Sequence, residues 1–208
     1  MNDGSITVQA PRQPGRLVLL FHGVGASADH LVPVGKLIAS GHPDAMVVSV
    51  QAPHPSGLGA GREWFSVLGV TEEDRPQRIA AAMPQFRQAV ADWQATSGVG
   101  ADRTTRAGST QGAIMSRETP QLAAPPLASR VVALAGRFAV PVRSAPAATR
   151  FHFIHGAADT VIPVRFSVEA AHAIEQRGGL ATLDGVPGLG HGIDERAAKA
   201  LLEHLADR

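Results

Sequence analysis

Two residue types with strong chemistry are missing from the sequence, which contains no cysteine and no tyrosine. The absence of cysteine excludes disulfide bonds, thiolate metal ligands and a cysteine nucleophile. The core must therefore form without covalent cross-links. The chain is long enough to do so, since its 208 residues are 44% hydrophobic and match the size of one ordinary domain. We predict a single domain over residues 1–208.

Features that would indicate a macromolecular partner are also absent. The charges nearly cancel, with 19 Lys and Arg against 18 Asp and Glu, which disfavours a nucleic-acid or polybasic membrane partner. The apolar run Leu17–Phe21 is far shorter than the ~20 residues of a membrane span. Residues 1–10 lack the pattern of a signal peptide. We expect a cytoplasmic protein without nucleic-acid partners or stable membrane insertion.

Short apolar runs alternate with helical patterns along the chain. The clearest strand candidates are Leu17–Phe21, Met46–Val50, Val131–Ala135 and Phe151–Ile154, with Ile6–Val8 and Thr182–Val186 as weaker ones. Apolar residues recur at helical spacing in Asp29–Ala39, Arg75–Ala95, Val164–Gln176 and Asp194–Ala206. This alternation predicts an α/β fold with a mostly parallel central sheet and helices on both faces. Ligands of such sheets bind at the carboxyl ends of the strands.

A glycine-rich segment, His22–Ser27, follows the first buried strand, and two interpretations compete for it. Gly23, Gly25 and Ala28 fit the spacing of a dinucleotide-binding loop. However, the next strand ends at residues 50–53 without the acidic residue that would bind a ribose. Alternatively, the His-Gly run places a backbone N–H group where negative charge develops, as in the oxyanion loop of a hydrolase.

A second glycine-flanked segment, Gly108–Gly112, is similar to the nucleophile elbow G-x-S-x-G, with Thr110 at the centre instead of serine. In that motif a sharp strand-to-helix turn exposes the central side chain, and the flanking glycines make room for neighbouring chain. On the motif alone, a glycine-rich turn without catalytic function is the more common interpretation.

An aspartate and a histidine follow the later strands. Asp159 comes after Phe151–Ile154 and either caps the helix that begins near Pro163 or accepts a hydrogen bond from a catalytic histidine. His191 lies between glycines after the last strand, a position suited to a general base. A metal site that joined His155, Asp159 and His191 would lack a compact ligand signature, so we expect no metal and no cofactor.

The four signals appear in the order oxyanion loop, elbow, aspartate, histidine, which is typical of α/β-hydrolases. A closer resemblance is carried by Leu17–Gly25, Gln51–Pro55, Arg62–Phe65, Gln111–Met115, His155–Asp159, Ile162–Pro163 and Pro187–Asp194. In these stretches the chain resembles the bacterial carboxylesterase/phospholipase family of small α/β-hydrolases, near the acyl-protein thioesterases and the YpfH-type esterases. The stretches span nearly the whole chain in order, and the resemblance implies an α/β-hydrolase fold without a large lid.

The resemblance implies a carboxylesterase that acts through a covalent acyl-enzyme. It assigns the nucleophile position to Thr110, where the family has serine, the base to His191 and the acid to Asp159. The oxyanion donors become the backbone N–H groups of Val24 and Gln111. The implied partner is a small-molecule ester, and homodimer formation stays open.

The substrate pocket is also implied by the resemblance. Trp64 and Phe65 match the segment that shapes the pocket in relatives. The sequence has no tyrosine and no obvious long lid insertion, and the family pocket is shallow. We therefore expect short to medium acyl esters as substrates.

Departures from the family pattern cluster around the elbow. The strand before it reads Arg103–Ala107 where the family is apolar, and charge in a central strand is costly unless it is paired. Ser109 replaces a usually aromatic residue. The helix after the elbow contains Arg117 and Pro120, and this proline should end or kink it. Because Thr110 adds a methyl group at the nucleophile position, the alternative function is an impaired hydrolase-like protein that binds acyl ligands.

Overall fold

The computed structural model describes residues 4–122 and 125–206. The strands are β1 (Ile6–Gln9), β2 (Arg16–Phe21), β3 (Ala45–Val50), β4 (His54–Pro55), β5 (Arg62–Glu63), β6 (Thr104–Ser109), β7 (Arg130–Leu134), β8 (Arg150–Gly156) and β9 (Leu180–Val186). The α-helices are α1 (Val32–Gly41), α2 (Arg75–Ser97), α3 (Gln111–Leu122), α4 (Arg165–Glu175) and α5 (Glu195–Ala206). Short 3₁₀ helices at Ala28–Leu31 and Ala101–Arg103 precede α1 and β6.

A sheet of seven strands in the described residues organises the fold. Its strand order is β1-β3-β2-β6-β7-β8-β9. The neighbouring strands from β3 to β9 are parallel, whereas β1 pairs with β3 in the antiparallel sense. β4 and β5 form a separate hairpin, which a bridge between Ala26 and Arg62 joins to the loop after β2. The predicted mostly parallel α/β architecture is confirmed.

Helices cover both faces of the sheet. α1 and α5 pack on one face, where Ile38 and Leu201 share a buried cluster with alternate side chains of β2 and β3. α2 and α3 pack on the other face, where Phe86 and Met115 join the remaining side chains of these strands. α4 covers β8 and β9. Burial on both faces explains why β2 and β3 are apolar at nearly every position instead of at alternate ones.

Helix boundaries follow local signals in the sequence. α2 has Pro76 in its first turn and ends before Gly98, whose φ of 69° lies in the left-handed region that glycine tolerates. The predicted Arg75–Ala95 helix therefore extends to Ser97. α4 and α5 each begin one residue after the predicted start. The candidate Asp29–Ala39 divides into a 3₁₀ turn and α1, because Pro33 occupies the first turn of α1.

The residues that depart from the family pattern lie in β6 and α3, and both elements form in spite of them. The segment that begins at Arg103 forms a strand over Thr104–Ser109, parallel to both β2 and β7. Arg106 in this strand is completely buried, and its guanidinium nitrogens have no hydrogen-bond partner among the described residues. Helix α3 continues past Pro120 and ends at Leu122, so the proline lies in its last turn.

Candidate active site

The turn between β6 and α3 is sharp because glycine flanks it. A Cβ atom added to Gly108 would lie 2.4 Å from the carbonyl carbon of Gly112, and one added to Gly112 would lie 2.1 Å from the carbonyl oxygen of Phe21. Neither position admits a side chain. The turn is held to the neighbouring strand by Thr110, whose N–H group donates to the carbonyl of Leu134 at 3.0 Å.

Thr110 occupies the tip of this turn with a φ of 51°. A β-branched residue in the left-handed region is strained by roughly 1–3 kcal/mol. Thr110 lines a cavity at the carboxyl edge of the sheet. Ser109, one residue earlier, instead lines a narrow apolar crevice with Leu20 and Leu31. The two neighbouring residues therefore line different cavities.

A chain of hydrogen bonds runs from Thr110 through an imidazole to a carboxylate. Thr110 Oγ1 lies 3.0 Å from His191 Nε2, and His191 Nδ1 lies 2.8 Å from Asp159 Oδ2. Because the carboxylate accepts from Nδ1–H, Nε2 keeps the lone pair that can accept the proton of the threonine hydroxyl. The structure brings together the three side chains that the sequence singled out.

The loops that carry His191 and Asp159 are packed against each other without side chains between them. A Cβ atom added to Gly156 would lie 2.3 Å from the carbonyl oxygens of Leu189 and Gly190. Ala158 N–H donates to the carbonyl of Leu189 at 2.9 Å. These contacts fix the position of the loop after β9 relative to the end of β8.

Both carboxylate oxygens of Asp159 have hydrogen-bond partners. Oδ1 accepts from the N–H groups of Val161 and Ile162, each at 2.9 Å, while Oδ2 faces His191. Burial acts to raise the pKa of Asp159, but the hydrogen bonds from His191, Ile162 and Val161 outweigh it and leave the pKa below its ordinary value. Of the two alternatives from the sequence, the hydrogen bond to a histidine is present, whereas the capping alternative is wrong, because Asp159 closes the turn before α4 and Val164 is the N-cap of that helix.

His155 also contacts this carboxylate, but it is fully enclosed. Its Nε2 lies 2.7 Å from the carbonyl oxygen of Ile162 and 3.2 Å from Asp159 Oδ2, and its Nδ1 lies 2.8 Å from Ser167 Oγ. The ring therefore donates from Nε2 and accepts from the serine hydroxyl. Burial lowers the pKa of His155. This geometry gives His155 a supporting position behind the carboxylate of Asp159.

The buried chain of polar groups extends to Arg117. Its Nη1 donates to the carbonyl of Gly136 at 2.5 Å and lies 3.3 Å from Ser167 Oγ. Its guanidinium carbon lies 4.1 Å from the ring centre of Phe153 and 4.6 Å from that of Phe138, within cation–π range. Arg117 is thereby connected to Asp159 through Ser167 and His155.

The glycine-rich segment after β2 is fixed by a buried histidine. Nδ1 of His22 lies 2.8 Å from the carbonyl oxygen of Gly23, so it donates there, while Nε2 accepts from the N–H of Ala52 at 3.1 Å. Burial lowers the pKa of His22, which favours this neutral tautomer. Val24 follows this anchored segment and lines the same cavity as Thr110. The backbone at Val24 is thereby held beside the elbow.

Gln111 connects the elbow to the wall of the cavity. Its side chain accepts from Trp64 N–H at 2.7 Å and donates to the carbonyl of Phe65 at 2.8 Å. Phe65 lines the cavity, which has a volume of about 350 Å³. Trp64 packs at 4.9 Å against the ring of Phe86 in the core behind it. Of the two aromatic residues expected to shape the pocket, Phe65 therefore lines this cavity, whereas Trp64 is buried in the core.

Among the residues of the cavity wall that were not singled out from the sequence are Glu72, Arg137 and Phe166. Arg137 lies just beyond the end of β7, so the rule that ligands bind at strand ends would have identified it. Glu72 and Phe166 carry no local signal, because the loop before α2 and the first turn of α4 reach the site only through the fold.

The described parts of the chain contain neither a metal-type cluster of side chains nor a membrane-spanning helix. No cluster of three His, Asp or Glu side chains there has the arrangement of a metal site, and the three residues of the metal alternative are engaged in the hydrogen bonds given above. No helix in these ranges is long and apolar enough to cross a membrane.

Comparisons with known proteins agree with this geometry. Residues 2–207 match the family model described as Phospholipase/Carboxylesterase. The chain is 47% identical over 206 residues to Esterase YpfH of Escherichia coli (strain K12), a match that covers 99% of this chain and 88% of that protein. Esterase PE8 superposes with a TM-score of 0.88 at 28% identity over 97% of both chains.

A more distant structure shares the fold alone. Acyl-protein thioesterase 2 of Zea mays superposes with a TM-score of 0.74 at 17% identity, covering 97% of this chain and 96% of that one. The resemblance seen in the sequence is confirmed by the family match and by the identity to the bacterial esterase. The chain belongs to the phospholipase/carboxylesterase family of α/β-hydrolases.

Proposed function

We propose that this carboxylesterase-family protein hydrolyses short to medium acyl esters through a covalent acyl-enzyme on Thr110. The observation that carries the proposal is the continuous hydrogen-bond chain from Thr110 Oγ1 to His191 and on to Asp159. A hydroxyl, an imidazole and a carboxylate in this sequence of contacts form the arrangement that activates a hydroxyl nucleophile.

The proposed reaction begins with proton transfer from the hydroxyl of Thr110 to Nε2 of His191. The freed electron pair of Oγ1 attacks the ester carbonyl carbon, and the carbonyl electrons move to its oxygen. Backbone N–H groups of Val24 and Gln111 stabilise that negative charge, a contribution of about 3–4 kcal/mol per donor in related chemistry. When the tetrahedral intermediate collapses, the alkoxide leaves with the proton that His191 returns, and the acyl group stays on Thr110.

Hydrolysis of the acyl-enzyme by water uses the same groups. His191 removes a proton from a water molecule, which attacks the acyl carbonyl, and the proton then returns to the oxygen of Thr110. Asp159 holds the imidazole in the required tautomer and stabilises its charged form throughout. The products are a carboxylic acid and an alcohol.

The cavity beside Thr110 supports a small ester as the substrate. Its volume of about 350 Å³ is at the lower end of the range for small-molecule sites. Apolar side chains, among them Phe65, Ile114 and Phe166, line the cavity and suit an alkyl chain. The names of two similar proteins, Esterase YpfH and esterase PE8, agree with ester hydrolysis.

A second candidate is a protein that binds acyl ligands without turnover. The observation that favours it is the left-handed backbone of Thr110, because a β-branched side chain has restricted rotation in that conformation. If its methyl group points towards His191 or the substrate, the attack geometry is lost.

Burst kinetics with p-nitrophenyl butanoate distinguish the two candidates. The proposal predicts stoichiometric release of p-nitrophenol followed by steady turnover, and loss of both phases in Thr110→Ala. Ser109→Ala serves as the matched control, since Ser109 lines a different cavity from Thr110. Absence of both phases in the wild-type protein would favour ligand binding without turnover.

A further inference from the structure

A second cavity adjoins the candidate active site. It has a volume of about 410 Å³ and lies between the segment after β7 and helix α4. Most of its lining is apolar and includes Phe138, Val140, Val142, Ala170 and Ala173. A cavity of this composition suits an alkyl chain better than a charged ligand.

The two cavities have three wall residues in common, namely Glu72, Arg137 and Phe166. Because these side chains line both spaces, they form the partition between them. The catalytic Thr110 faces only the first cavity, whereas Ala173 faces only the second.

The partition is held by one ion pair and one ring. Arg137 forms a bidentate pair with Glu72, with Nη2–Oε2 at 2.7 Å and Nη1–Oε1 at 3.0 Å. Its guanidinium carbon lies 4.1 Å from the ring centre of Phe166. The Glu72 side chain is 62% exposed, whereas that of Arg137 is 14% exposed, so solvent reaches the pair from the carboxylate side. Glu72 precedes α2, so rotation of its side chain into solvent disturbs no helix or strand.

We propose that the second cavity binds the distal part of longer acyl chains, and that the Arg137–Glu72 pair over Phe166 is the gate that limits acyl length. This inference rests on the proposed ester hydrolysis at Thr110. An acyl group on Thr110 directs its chain into the first cavity, whose wall includes the partition. Beyond the partition the chain meets apolar surface, and each buried methylene improves binding about fourfold.

The first test compares kcat/KM for p-nitrophenyl octanoate and p-nitrophenyl butanoate in the wild-type protein and in Arg137→Ala. The variant removes the gate, so the octanoate-to-butanoate ratio should rise about tenfold, which corresponds to fewer than two further buried methylenes. Arg165→Ala is the matched control, because Arg165 also stacks on Phe166, at 4.9 Å, but lines neither cavity. Its ratio should equal that of the wild-type protein.

A cavity-filling variant identifies where the extra methylenes bind. Ala173→Phe in the Arg137→Ala background places a ring in the second cavity and leaves the first unchanged. The ratio should return to the wild-type value. An unchanged ratio in Arg137→Ala would overturn the inference, and so would a raised ratio that survives the Ala173→Phe substitution.

Calorimetric titration separates this inference from the proposed activity. Butanamide and octanamide are neutral and are not ester substrates, so their affinities report the cavities without turnover. Octanamide should bind Arg137→Ala about tenfold more tightly than the wild-type protein, whereas butanamide should not. If no ester is hydrolysed but this difference is present, the proposed function fails and the gate stands. If esters are hydrolysed but the difference is absent, the gate is wrong.

Discussion

The carboxyl edge of the sheet and the layer directly beneath it differ in how their polar groups are satisfied. At the edge, Thr110, His191 and Asp159 form a continuous chain of hydrogen bonds. Beneath it lie two buried arginines, and burial lowers the pKa of each to about 9. Arg117 has a carbonyl, a hydroxyl and two aromatic rings as partners, whereas Arg106 has no hydrogen-bond partner among the described residues.

This difference shows that the position of the residues at the edge and the stability of the layer beneath them can vary independently. The flanking glycines and the strand register determine where Thr110 lies, and neither depends on the side chain at position 106. A desolvated guanidinium that has no partners destabilises the folded state, but it does not displace the turn. The account therefore predicts large effects on rate from changes at the edge and effects on stability from changes beneath it.

The largest effect is expected from His191→Ala. Loss of the base should reduce kcat/KM for a short ester on the order of a thousandfold or more. The fold should persist, with a decrease in the free energy of unfolding of roughly 1.5–3 kcal/mol, because Asp159 loses its hydrogen bond from His191 but keeps those from Val161 and Ile162. Parallel kinetics and urea unfolding check both parts, with His172→Ala on the exposed side of α4 as the control. Wild-type rates in His191→Ala would exclude it as the base.

Next in size is the effect of Thr110→Ser. Serine lacks the methyl group that crowds a left-handed turn, and correct positioning of the nucleophile can be worth about a hundredfold in rate. We expect a marked rise in kcat/KM for p-nitrophenyl butanoate, and the same rise when Ser109→Ala is added. If Ser109→Ala alone abolished activity, the nucleophile would be assigned to the wrong residue.

Beneath the edge, Arg106→Leu should stabilise the protein. The substitution replaces a buried charge without partners by an apolar side chain, and the free energy of unfolding should rise by roughly 2 kcal/mol. Arg117→Leu is the matched comparison and should give no such gain, since it leaves the carbonyl of Gly136 without its donor. Urea unfolding of both variants measures these changes, and an equal rise in the free energy of unfolding for both would contradict the distinction between the two arginines.

The smallest expected effect is a pH dependence of stability from Asp159. Its pKa is lower in the folded protein than the unfolded value of about 3.9. Ionised Asp159 therefore stabilises the fold above that value, and the contribution is lost as the pH falls through the folded pKa. Thermal unfolding between pH 6 and pH 3 should show a smaller decrease in Tm for Asp159→Asn than for the wild-type protein. Parallel decreases would contradict this assignment.

Much of the fold could be predicted because local and periodic signals agree. The buried strands β2, β3 and β7 appear as nearly continuous apolar runs, and the amphipathic pattern from Arg75 onward matches α2. The rule that function follows strand ends identified Thr110, Asp159 and His191, which the structure brings within hydrogen-bond distance. Their catalytic roles stay predictions.

What the sequence could not predict depends on contacts between distant segments. The pair of Glu72 and Arg137 joins residues 65 positions apart, and neither position carries a pattern that indicates the other. Similarly, adjacent aromatic residues do not reveal which one lines a cavity, and the fold assigns Phe65 to the cavity and Trp64 to the core. The different surroundings of the two buried arginines are likewise a tertiary property.

The most direct test of the central claim is the intact mass of the wild-type protein after exposure to a fluorophosphonate, followed by peptide mapping. An activated hydroxyl attacks the phosphorus atom, so the account predicts one stoichiometric adduct on Thr110. The adduct should be absent from Thr110→Ala and should form much more slowly in His191→Ala. An adduct on Ser109, or no adduct on the wild-type protein, would contradict the account.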